Sequence, residues 1–278
     1  MAHSLSPRMH NALYRSLVAE APVFSTWRYT ALRCADEDEA ARRIALVRTG
    51  RYRGMNVTMP YKRLAADSAD RLDASARAAG GANVLVREGL ELVGYNTDGV
   101  GAAGAIERAG KVDLRARDAC VCGTGPTSLA VACAVAASHA ARVTLFSRDP
   151  RRAASAAERV RAHLPRASRC VLAGAGYADA PRIVPGADVF VDATPRGMVT
   201  GDAPVVDTSL FHEGQVVLDV VYAHGTTALV AGARGQGARA IDGLEMLVEQ
   251  AALSVEIWAR AMGLCVEVPR EVMRHAVV

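Results

Sequence analysis

The segment that decides the fold is Ala119-Cys120-Val121-Cys122-Gly123-Thr124-Gly125-Pro126-Thr127-Ser128. Its first four residues predict a buried strand, and the alanine-rich stretch that continues to Ala137 predicts a helix. Between them, Gly123 and Gly125 allow a tight turn and let a pyrophosphate approach the start of the helix. A complete dinucleotide fingerprint has a third glycine, where this chain has Ser128. The segment therefore predicts a strand–turn–helix unit of a dinucleotide-binding domain, and by itself it is a weak signal.

The residues that follow support a dinucleotide site. Residues 143–146 predict a second strand at the expected distance, and it leads into Ser147-Arg148-Asp149-Pro150-Arg151-Arg152. Arginines at this place suit the 2′-phosphate of NADP, whereas an acidic residue at the strand end would bind the 2′-hydroxyl of NAD. Arg148 and Arg152 favour NADP, and Asp149 keeps NAD as the alternative. Without the glycine turn upstream, the cluster is explained equally well as the exposed start of a helix.

The second half of the chain continues this pattern of strands and helices. Further strands are predicted at residues 188–193, 216–221 and 238–242. Each ends in a loop on the side where a cofactor would lie, with Thr194 and Met198 after the first strand and Tyr222 after the second. A long apolar helix is predicted from Gly243 to about residue 262. Its Gln250 is an amide in an apolar segment, so we expect it to have a hydrogen-bond partner.

The first hundred residues predict a separate set of elements. Pro7 suits the first turn of a helix that has Ser6 as its N-cap. Ser4 and Ser6 would then lie at a helix N-terminus, which favours an anion such as a carboxylate, although plain capping also explains them. The other predicted elements are a strand at 27–32, helices at 36–48, 67–79 and 100–109, and a hairpin of 83–86 with 90–95.

Lys62 stands out at the end of Gly54-Met55-Asn56-Val57-Thr58-Met59-Pro60-Tyr61-Lys62. Lys62 and Lys111 are the only lysines of the chain, and its other basic residues are arginines. Arginine keeps its proton at any working pH, whereas a desolvated lysine can take part in acid–base chemistry. Val57 is predicted to end a short strand, so Thr58 and Lys62 would lie at a strand end, where open α/β proteins place ligands. The plainer explanation is that two lysines have to fall somewhere.

Asp98 is a second candidate for acid–base chemistry. It lies in Gly94-Tyr95-Asn96-Thr97-Asp98-Gly99, directly ahead of the predicted small-residue helix at 100–109. Taken alone, it is explained as a loop acid or a helix cap. The helix after it is similar to a connector between two domains.

Composition narrows the class of protein. Hydrophobic residues make up 51% and charged residues 22%, as in soluble globular proteins, and 278 residues favour two domains. A net charge of +4 without a basic run, together with 5% aromatic residues, argues against a nucleic-acid surface. No stretch approaches the roughly 20 apolar residues of a membrane span, and we expect no signal peptide, so a cytoplasmic location is predicted. The six cysteines and seven histidines lack ligand spacing, which predicts buried, reduced thiols and no metal site.

Taken together, these motifs resemble those of the shikimate dehydrogenase family over nearly the full length of the chain. Each motif is weak by itself, but their order and spacing together are highly specific. They are His3-Ser-Leu-Ser-Pro7, Gly54-x-Asn-Val-Thr-x-Pro-x-Lys62, Asn83, Gly94-x-Asn-Thr-Asp98-Gly99, the glycine turn at 123–128, Asp192-Ala-Thr-Pro-x-Gly-Met198 and Met246-Leu-x-x-Gln250.

The resemblance implies an α/β fold with a Rossmann-like NADP-binding domain and a discontinuous α/β substrate domain, separated by a cleft. Residues 1–98 and 246–278 would form the substrate domain, and residues 99–245 the cofactor domain. The implied reaction is the reversible NADP-dependent reduction of 3-dehydroshikimate to shikimate, in aromatic amino acid biosynthesis. The implied partner is a small cyclohexene carboxylate, with no nucleic acid and no membrane, and the protein would be a monomer or a homodimer.

The resemblance also assigns roles to residues by position. Lys62 and Asp98 would be the catalytic pair. Substrate would be bound by Ser4, Ser6, Thr58, Asn83, Tyr222 and Gln250. The cofactor would be bound by Gly123, Gly125, Pro126, Thr127, Ser147, Arg148, Arg152, Thr194, Met198 and Gly243.

Three departures from the family pattern keep other substrates open. Family members usually begin with a strand ahead of the position of Ser4, whereas here only Met1, Ala2 and His3 precede it. We expect one of three explanations, which are a misplaced start codon, a trimmed chain or a substrate-domain sheet with one strand fewer. Val84 follows Asn83 where the family has threonine, and Ser128 replaces the third glycine. These departures favour a divergent paralogue that acts on quinate, aminoshikimate or another cyclohexene carboxylate.

Two further alternatives differ in class. One is a non-catalytic sensor of a hydroxy acid, which the presence of both Lys62 and Asp98 disfavours because binding alone needs no proton-transfer pair. The other is an enzyme similar to methylene-tetrahydrofolate dehydrogenase. The Ser-Leu-Ser-Pro opening disfavours it, since paired hydroxyls suit a small carboxylate.

Overall fold

The computed structural model describes residues 4–199, 201–222 and 225–278, so His3 of the first motif lies outside the described residues. The chain divides into two compact units. The first contains the residues up to Ala76 together with Gly81–Thr97 and Leu247–Val278, and the second contains Arg77–Gly80 and Asp98–Met246. As functional domains, the segments 1–98, 99–245 and 246–278 stay a prediction.

The secondary structure follows this division. The strands are β1 (Gly54–Asn56), β2 (Arg71–Leu72), β3 (Val84–Glu88), β4 (Glu91–Tyr95), β5 (Asp118–Cys122), β6 (Arg142–Ser147), β7 (Val171–Gly176), β8 (Val189–Asp192), β9 (Val216–Asp219) and β10 (Arg239–Ile241). The helices are α1 (Ser6–Leu17), α2 (Glu37–Arg48), α3 (Lys62–Ser68), α4 (Ala74–Ala79), α5 (Asp98–Arg108), α6 (Pro126–Ala137), α7 (Pro150–His163), α8 (Ala180–Ile183), α9 (Ala228–Gly235), α10 (Gly243–Ala261) and α11 (Arg270–His275). None of the helices in the described part of the chain is long and apolar enough to span a bilayer.

The sheet of the first unit is mixed, with strands in the order β1-β3-β4-β2. The predicted hairpin is present as the antiparallel pair β3 and β4, while β1 pairs antiparallel with β3 and β2 runs parallel to β4. Leu85 and Leu92 of the hairpin belong to one buried cluster with Ile44 and Val47 of α2. Burial of these side chains holds the strand ends, and the polar residues next to them, in fixed positions.

Three local predictions for the first unit are wrong. The helix predicted at 67–79 is interrupted by β2, because Asp70 and Asp73 donate backbone N–H groups to the carbonyls of Leu92 and Gly94 at 2.8 Å. The strand predicted at 27–32 does not form. Asn11 of α1 instead exchanges two 2.9 Å hydrogen bonds with the backbone of Tyr29, which satisfies groups that a neighbouring strand would otherwise pair. Ser6 is not the cap of α1, whose N-cap is Leu5 and which has no side-chain cap.

The second unit contains a parallel sheet in the order β10-β9-β8-β5-β6-β7. From the central strand β5, the chain first adds β6 and β7 on one side, and then adds β8, β9 and β10 on the other side. This reversal of direction defines the doubly wound Rossmann arrangement. Along β5, Ala119 and Val121 face one buried cluster, and Cys120 and Cys122 face the other, so both sides of the sheet are covered. The predicted Rossmann-like fold is confirmed.

The sequence does not predict strand β7. Its residues Val171-Leu-Ala-Gly-Ala-Gly176 are mostly small, which weakens a strand signal. A side chain at Gly174 would overlap the backbone of Ala153 and Ala154, so the glycine lets α7 pack directly on β7. The strands predicted at 188–193, 216–221 and 238–242 correspond to β8, β9 and β10.

Candidate functional site

A buried polar group lies in the first unit and joins three distant parts of the chain. Asn83 and Thr97 are 3% and 4% exposed. The Thr97 N–H donates to Oδ1 of Asn83 at 2.8 Å, and Nδ2 of Asn83 donates to Oγ1 of Thr97 at 3.1 Å. Oε1 of Gln250 lies 3.4 Å from both Nδ2 of Asn83 and Oγ1 of Thr97. Gln250 of α10 thus has the partner expected of it, and Thr97 is a member to which the sequence assigns no role, although it stands in a quoted motif.

Lys62 is anchored next to this group through its backbone. It is the first residue of α3, and its carbonyl accepts the Ala82 N–H at 2.9 Å. The Val57 N–H donates to the Asn83 carbonyl at 2.8 Å, and the Tyr61 N–H donates to the Thr58 carbonyl at 3.0 Å. The turn from Thr58 to Lys62 therefore follows directly on a strand end that is bonded to Asn83, and the structure brings these predicted residues together.

A second layer of hydrogen bonds supports the Asn83 group. Nδ2 of Asn56 donates to Oγ of Ser254 at 2.9 Å, and Oγ of Ser254 donates to the Gln250 carbonyl at 2.8 Å. The hydroxyl of Tyr29 donates to Oδ1 of Asn56 at 3.1 Å. Ser254 is fully buried, so these bonds satisfy polar atoms that water does not reach. Ser254 carries no sequence signal for this role, because its partner is almost two hundred residues away.

Ser4 and Ser6 lie at the start of α1, where both side chains are half-buried. Among the described residues, no hydrogen bond connects either serine to the Asn83 group. Because no side chain caps α1, the first backbone N–H groups of this helix can take an acceptor from a ligand. The structure thus leaves the two serines beside a helix N-terminus, as the sequence predicted.

Asp98 and Tyr222 lie in the second unit. Asp98 is the first residue of α5 and is 5% exposed. Burial and the charge of Asp98 raise the pKa of Tyr222, which keeps its phenol in the protonated, hydrogen-bonding form. The two predicted site residues are therefore electrostatic neighbours within this unit.

The glycine turn after β5 has the geometry of a phosphate-binding loop. Gly123 has a φ of +104°, which favours glycine, and Gly125 is the N-cap of α6 without a side-chain cap. A side chain at Gly125 would meet nothing within 4 Å, so the backbone is open to a ligand there. Pro126 and Thr127 begin α6, whose free N–H groups and dipole favour a phosphate.

Ser128 explains how the turn forms without a third glycine. It is 1% exposed, and its Oγ lies 3.3 Å from the Cys122 carbonyl and 3.4 Å from the Ala193 carbonyl. Cys122 is the last residue of β5, and Ala193 directly follows β8. The strand order of the sheet reverses between these two strands. The serine thus joins the two loops at the position where Rossmann-like domains bind their cofactor.

The arginine cluster follows β6 at the same edge of the sheet. Arg148 and Arg152 are exposed, and among the described residues neither forms a hydrogen bond or an ion pair through its side chain. Oδ1 of Asp149 accepts the Arg151 N–H at 2.9 Å and caps α7. Ser147, the last residue of β6, is half-buried. The acidic residue is therefore used as a helix cap, and the arginines remain available for a phosphate.

Two buried carboxyl groups lie at neighbouring strand ends, and the sequence assigns a role to neither, although Asp192 begins one of the quoted motifs. Asp192 and Asp219 are each 1% exposed and are register partners in β8 and β9. Oδ1 of Asp192 accepts the Thr194 N–H at 2.9 Å, and Asp219 accepts the Val221 N–H at 3.0 Å and the Thr227 hydroxyl at 2.7 Å. Burial raises the pKa of Asp219 and, with the nearby Asp219 charge, raises the pKa of Asp192 to about 7.

The remaining predicted cofactor residues surround these strand ends. Thr194 is held by Asp192, Met198 is 45% exposed, and Gly243 begins α10. A side chain at Gly243 would overlap the Val220 carbonyl, so glycine is required for α10 to start so close to the segment after β9. Among the described residues, no three His, Cys, Asp or Glu side chains are grouped so that they could hold a metal ion.

A parallel doubly wound sheet with an open glycine turn at its switch point defines a dinucleotide-binding protein, and comparison with known proteins gives the family. Residues 1–85 match the family model described as the shikimate dehydrogenase substrate binding domain. A shikimate dehydrogenase (NADP(+)) from Pyrococcus abyssi is 33% identical over 93% of this chain and 88% of its own. The chain belongs to the shikimate dehydrogenase family.

Solved structures agree with this placement. A shikimate 5-dehydrogenase from Listeria monocytogenes, solved with shikimate and NAD, has a TM-score of 0.84 and 26% identity, covering 100% of this chain and 93% of its own. A quinate dehydrogenase from Corynebacterium glutamicum, solved with NAD, has a TM-score of 0.79 and 25% identity, covering 99% and 94%.

Proposed function

We propose that the protein is a shikimate dehydrogenase, which carries out the reversible NADP-dependent reduction of 3-dehydroshikimate to shikimate. The observation that carries this proposal is the buried Asn83–Thr97–Gln250 group, which is tied through backbone hydrogen bonds to the turn that bears Lys62. Amide and hydroxyl groups fixed in this way offer hydrogen-bond partners in a set orientation, which suits a ligand rich in hydroxyls. We place the reaction in the cytoplasm and assign it to a monomer or a homodimer.

In this proposal, each polar group of the substrate has a partner. Ser4 and Ser6 hold the carboxylate, aided by the uncapped N-terminus of α1. Thr58, Asn83 and Gln250 bind ring hydroxyls, and the protonated phenol of Tyr222 donates to another. These sites differ in kind, so they fix the orientation of the ring as well as its affinity.

Lys62 and Asp98 are the proposed catalytic pair. When bound, NADPH supplies the hydride that the carbonyl carbon accepts. The ammonium of Lys62 donates a proton to the carbonyl oxygen, and in the reverse direction the neutral amine takes the proton back. Asp98 accepts a hydrogen bond from the same hydroxyl and orients it. Proton transfer by a positioned side chain is worth on the order of 10²–10⁴ in rate.

The residues present fit a dinucleotide phosphate. Gly123, Gly125, Pro126 and Thr127 would hold the pyrophosphate at the start of α6, where a side chain at Gly125 would fill open space. Arg148 and Arg152, with Ser147, would bind the 2′-phosphate, and the use of Asp149 as a helix cap supports NADP over NAD. Thr194, Met198 and Gly243 would line the nicotinamide end of the site. These groups bind and orient the cofactor.

The experiment that tests this proposal follows the absorbance of reduced nicotinamide when the protein receives shikimate or quinate with NADP or NAD. We expect rapid reduction with shikimate and NADP. Reduction with quinate alone would move the substrate to the second candidate, a quinate dehydrogenase, which the likeness to the Corynebacterium glutamicum enzyme favours. Folded protein that binds NADP and reduces it with neither acid would contradict both and favour a non-catalytic sensor.

A further inference from the structure

A cavity of about 230 Å³ lies in the first unit, away from the Asn83 group. Its walls include Tyr52, Arg53, Arg87, Gly89, Trp258 and Met262. Along α10, Trp258 follows Gln250 by two turns, which is about 12 Å. Along the β3 segment, Arg87 follows Asn83 by four residues, which is about 13 Å. The cavity is therefore a separate place in this unit and shares none of the proposed substrate residues.

The aromatic wall of the cavity is held in one position. Trp258 is 4% exposed, and its Nε1 donates to the Leu85 carbonyl at 3.2 Å. A side chain at Gly54 would overlap the indole ring, so the ring can pack against β1 only because this residue is glycine. A ring fixed in this way loses little entropy when a ligand packs against it.

Two arginines bring uncompensated positive charge to the cavity. Among the described residues, the exposed side chain of Arg53 forms no hydrogen bond or ion pair. Arg87 uses its Nε to donate to the Gly89 carbonyl at 2.8 Å, and its two Nη groups have no hydrogen bond there. The adjacent Glu88 is bonded to Arg71 and Tyr95, and no acidic residue is in the cavity wall.

We propose that this cavity binds a small aromatic carboxylate. The carboxylate would lie between the guanidinium groups of Arg53 and Arg87, which can bind it with two parallel hydrogen bonds each. The ring would pack against Trp258 and Tyr52, where aromatic pairs gain energy beyond their buried area. The cavity is smaller than the roughly 300–1,000 Å³ of drug-sized sites, so it fits a single ring.

The test is a calorimetric titration of the full chain with benzoate, in the absence and presence of saturating shikimate. We expect benzoate to bind in both conditions, and Arg53→Gln and Arg87→Gln each to weaken binding at least about tenfold, the effect of losing one charge-assisted hydrogen bond. Arg51→Gln is the matched control, because Arg51 is an exposed neighbour outside the cavity wall. Cyclohexanecarboxylate, with the same charge and no aromatic ring, should bind more weakly.

Three outcomes would overturn the proposal. The first is no benzoate binding at all, and the second is benzoate binding that Arg53→Gln and Arg87→Gln leave unchanged. The third is binding that Ser6→Ala abolishes while the arginine variants do not, since that would place benzoate at the proposed substrate carboxylate site. The comparison of variants uses no turnover, so it remains decisive if the chain does not oxidise shikimate.

Discussion

At the scale of single residues, Asn83 shows how one side chain can organise a site. Its amide oxygen accepts the Thr97 N–H, and its amide nitrogen lies within hydrogen-bond distance of Thr97 and Gln250. A buried amide with all of these partners has a single orientation, which fixes the donors and acceptors offered to a ligand. The family resemblance assigns substrate binding to Asn83 and Gln250, whereas the role of Thr97 depends on a contact that no spacing rule reveals.

Asp192 makes stability depend on pH. Its carboxyl pKa rises from 3.8 to about 7 on folding, chiefly through burial and also through Asp219, while Thr194 and Arg196 oppose the rise. The folded state therefore holds more protons than the unfolded state between about pH 4 and pH 7, so stability is lost as the pH rises through this range. The full effect of a shift of this size is about 4 kcal/mol.

We expect Asp192→Asn to remove this loss of stability, because asparagine keeps an oxygen for the Thr194 N–H and does not ionise. Urea unfolding at a series of pH values between 4 and 8 measures the difference. The free energy of unfolding of the natural protein should fall relative to that of the variant by up to about 4 kcal/mol. Parallel pH profiles would show that Asp192 has an ordinary carboxyl pKa.

At the scale of elements, the packing of α7 on β7 depends on Gly174. A methyl group there would overlap the helix backbone at Ala153 and Ala154, which cannot move as a flexible side chain can. We expect Gly174→Ala to lower the free energy of unfolding by about 1–3 kcal/mol, the usual cost of overpacking. Gly186→Ala is the control, because a side chain there meets nothing within 4 Å. Equal stability of the two variants would contradict the packing shown.

At Gly125, in the glycine turn before α6, we expect alanine to affect cofactor binding and not stability, which is the opposite of the expectation for Gly174. Gly125 has a φ of −83° and open space beside it, so alanine fits without strain. If a pyrophosphate approaches this backbone, the added methyl group weakens NADP binding at least about tenfold and leaves the free energy of unfolding unchanged. Fluorescence titration with NADP and urea unfolding of Gly125→Ala measure the two quantities. Unchanged NADP affinity would exclude the turn as the pyrophosphate site.

The sequence predicts most elements of the second unit, because parallel strands buried on both faces give continuous apolar runs. In this unit the prediction misses β7, where small residues weaken the strand signal. In the first unit it misses β2, where two residues pair with β4 inside an otherwise helical pattern. The prediction also fails at residues 27–32, which alternate between apolar and polar side chains but form no strand. The backbone of Tyr29 in this segment is hydrogen-bonded to Asn11 instead of to a neighbouring strand. The failures at β2 and at residues 27–32 come from tertiary contacts that override a local preference.

At the scale of the whole molecule, the long segment Asp98–Met246, together with Arg77–Gly80, belongs to the second unit, and Leu247–Val278 belongs again to the first. The family resemblance implies a discontinuous arrangement of this kind, and the functional assignment of the segments stays a prediction. Lys62 belongs to the first unit and Asp98 to the second. Choice between shikimate and quinate depends on single hydroxyl contacts, which sequence spacing does not define.

The central claim is that Lys62 transfers the proton of the reaction, and the most direct measurement is the rate of NADP reduction by saturating shikimate in Lys62→Ala and Lys111→Ala. Lys111 is the one other lysine of the chain and lies outside all the proposed sites, so it is a matched control. We predict that Lys62→Ala lowers turnover by about 10²–10⁴ with little loss of shikimate binding, and that Lys111→Ala turns over like the natural protein. Turnover that survives in Lys62→Ala, or a loss that comes entirely from weaker substrate binding, would contradict the role assigned to Lys62.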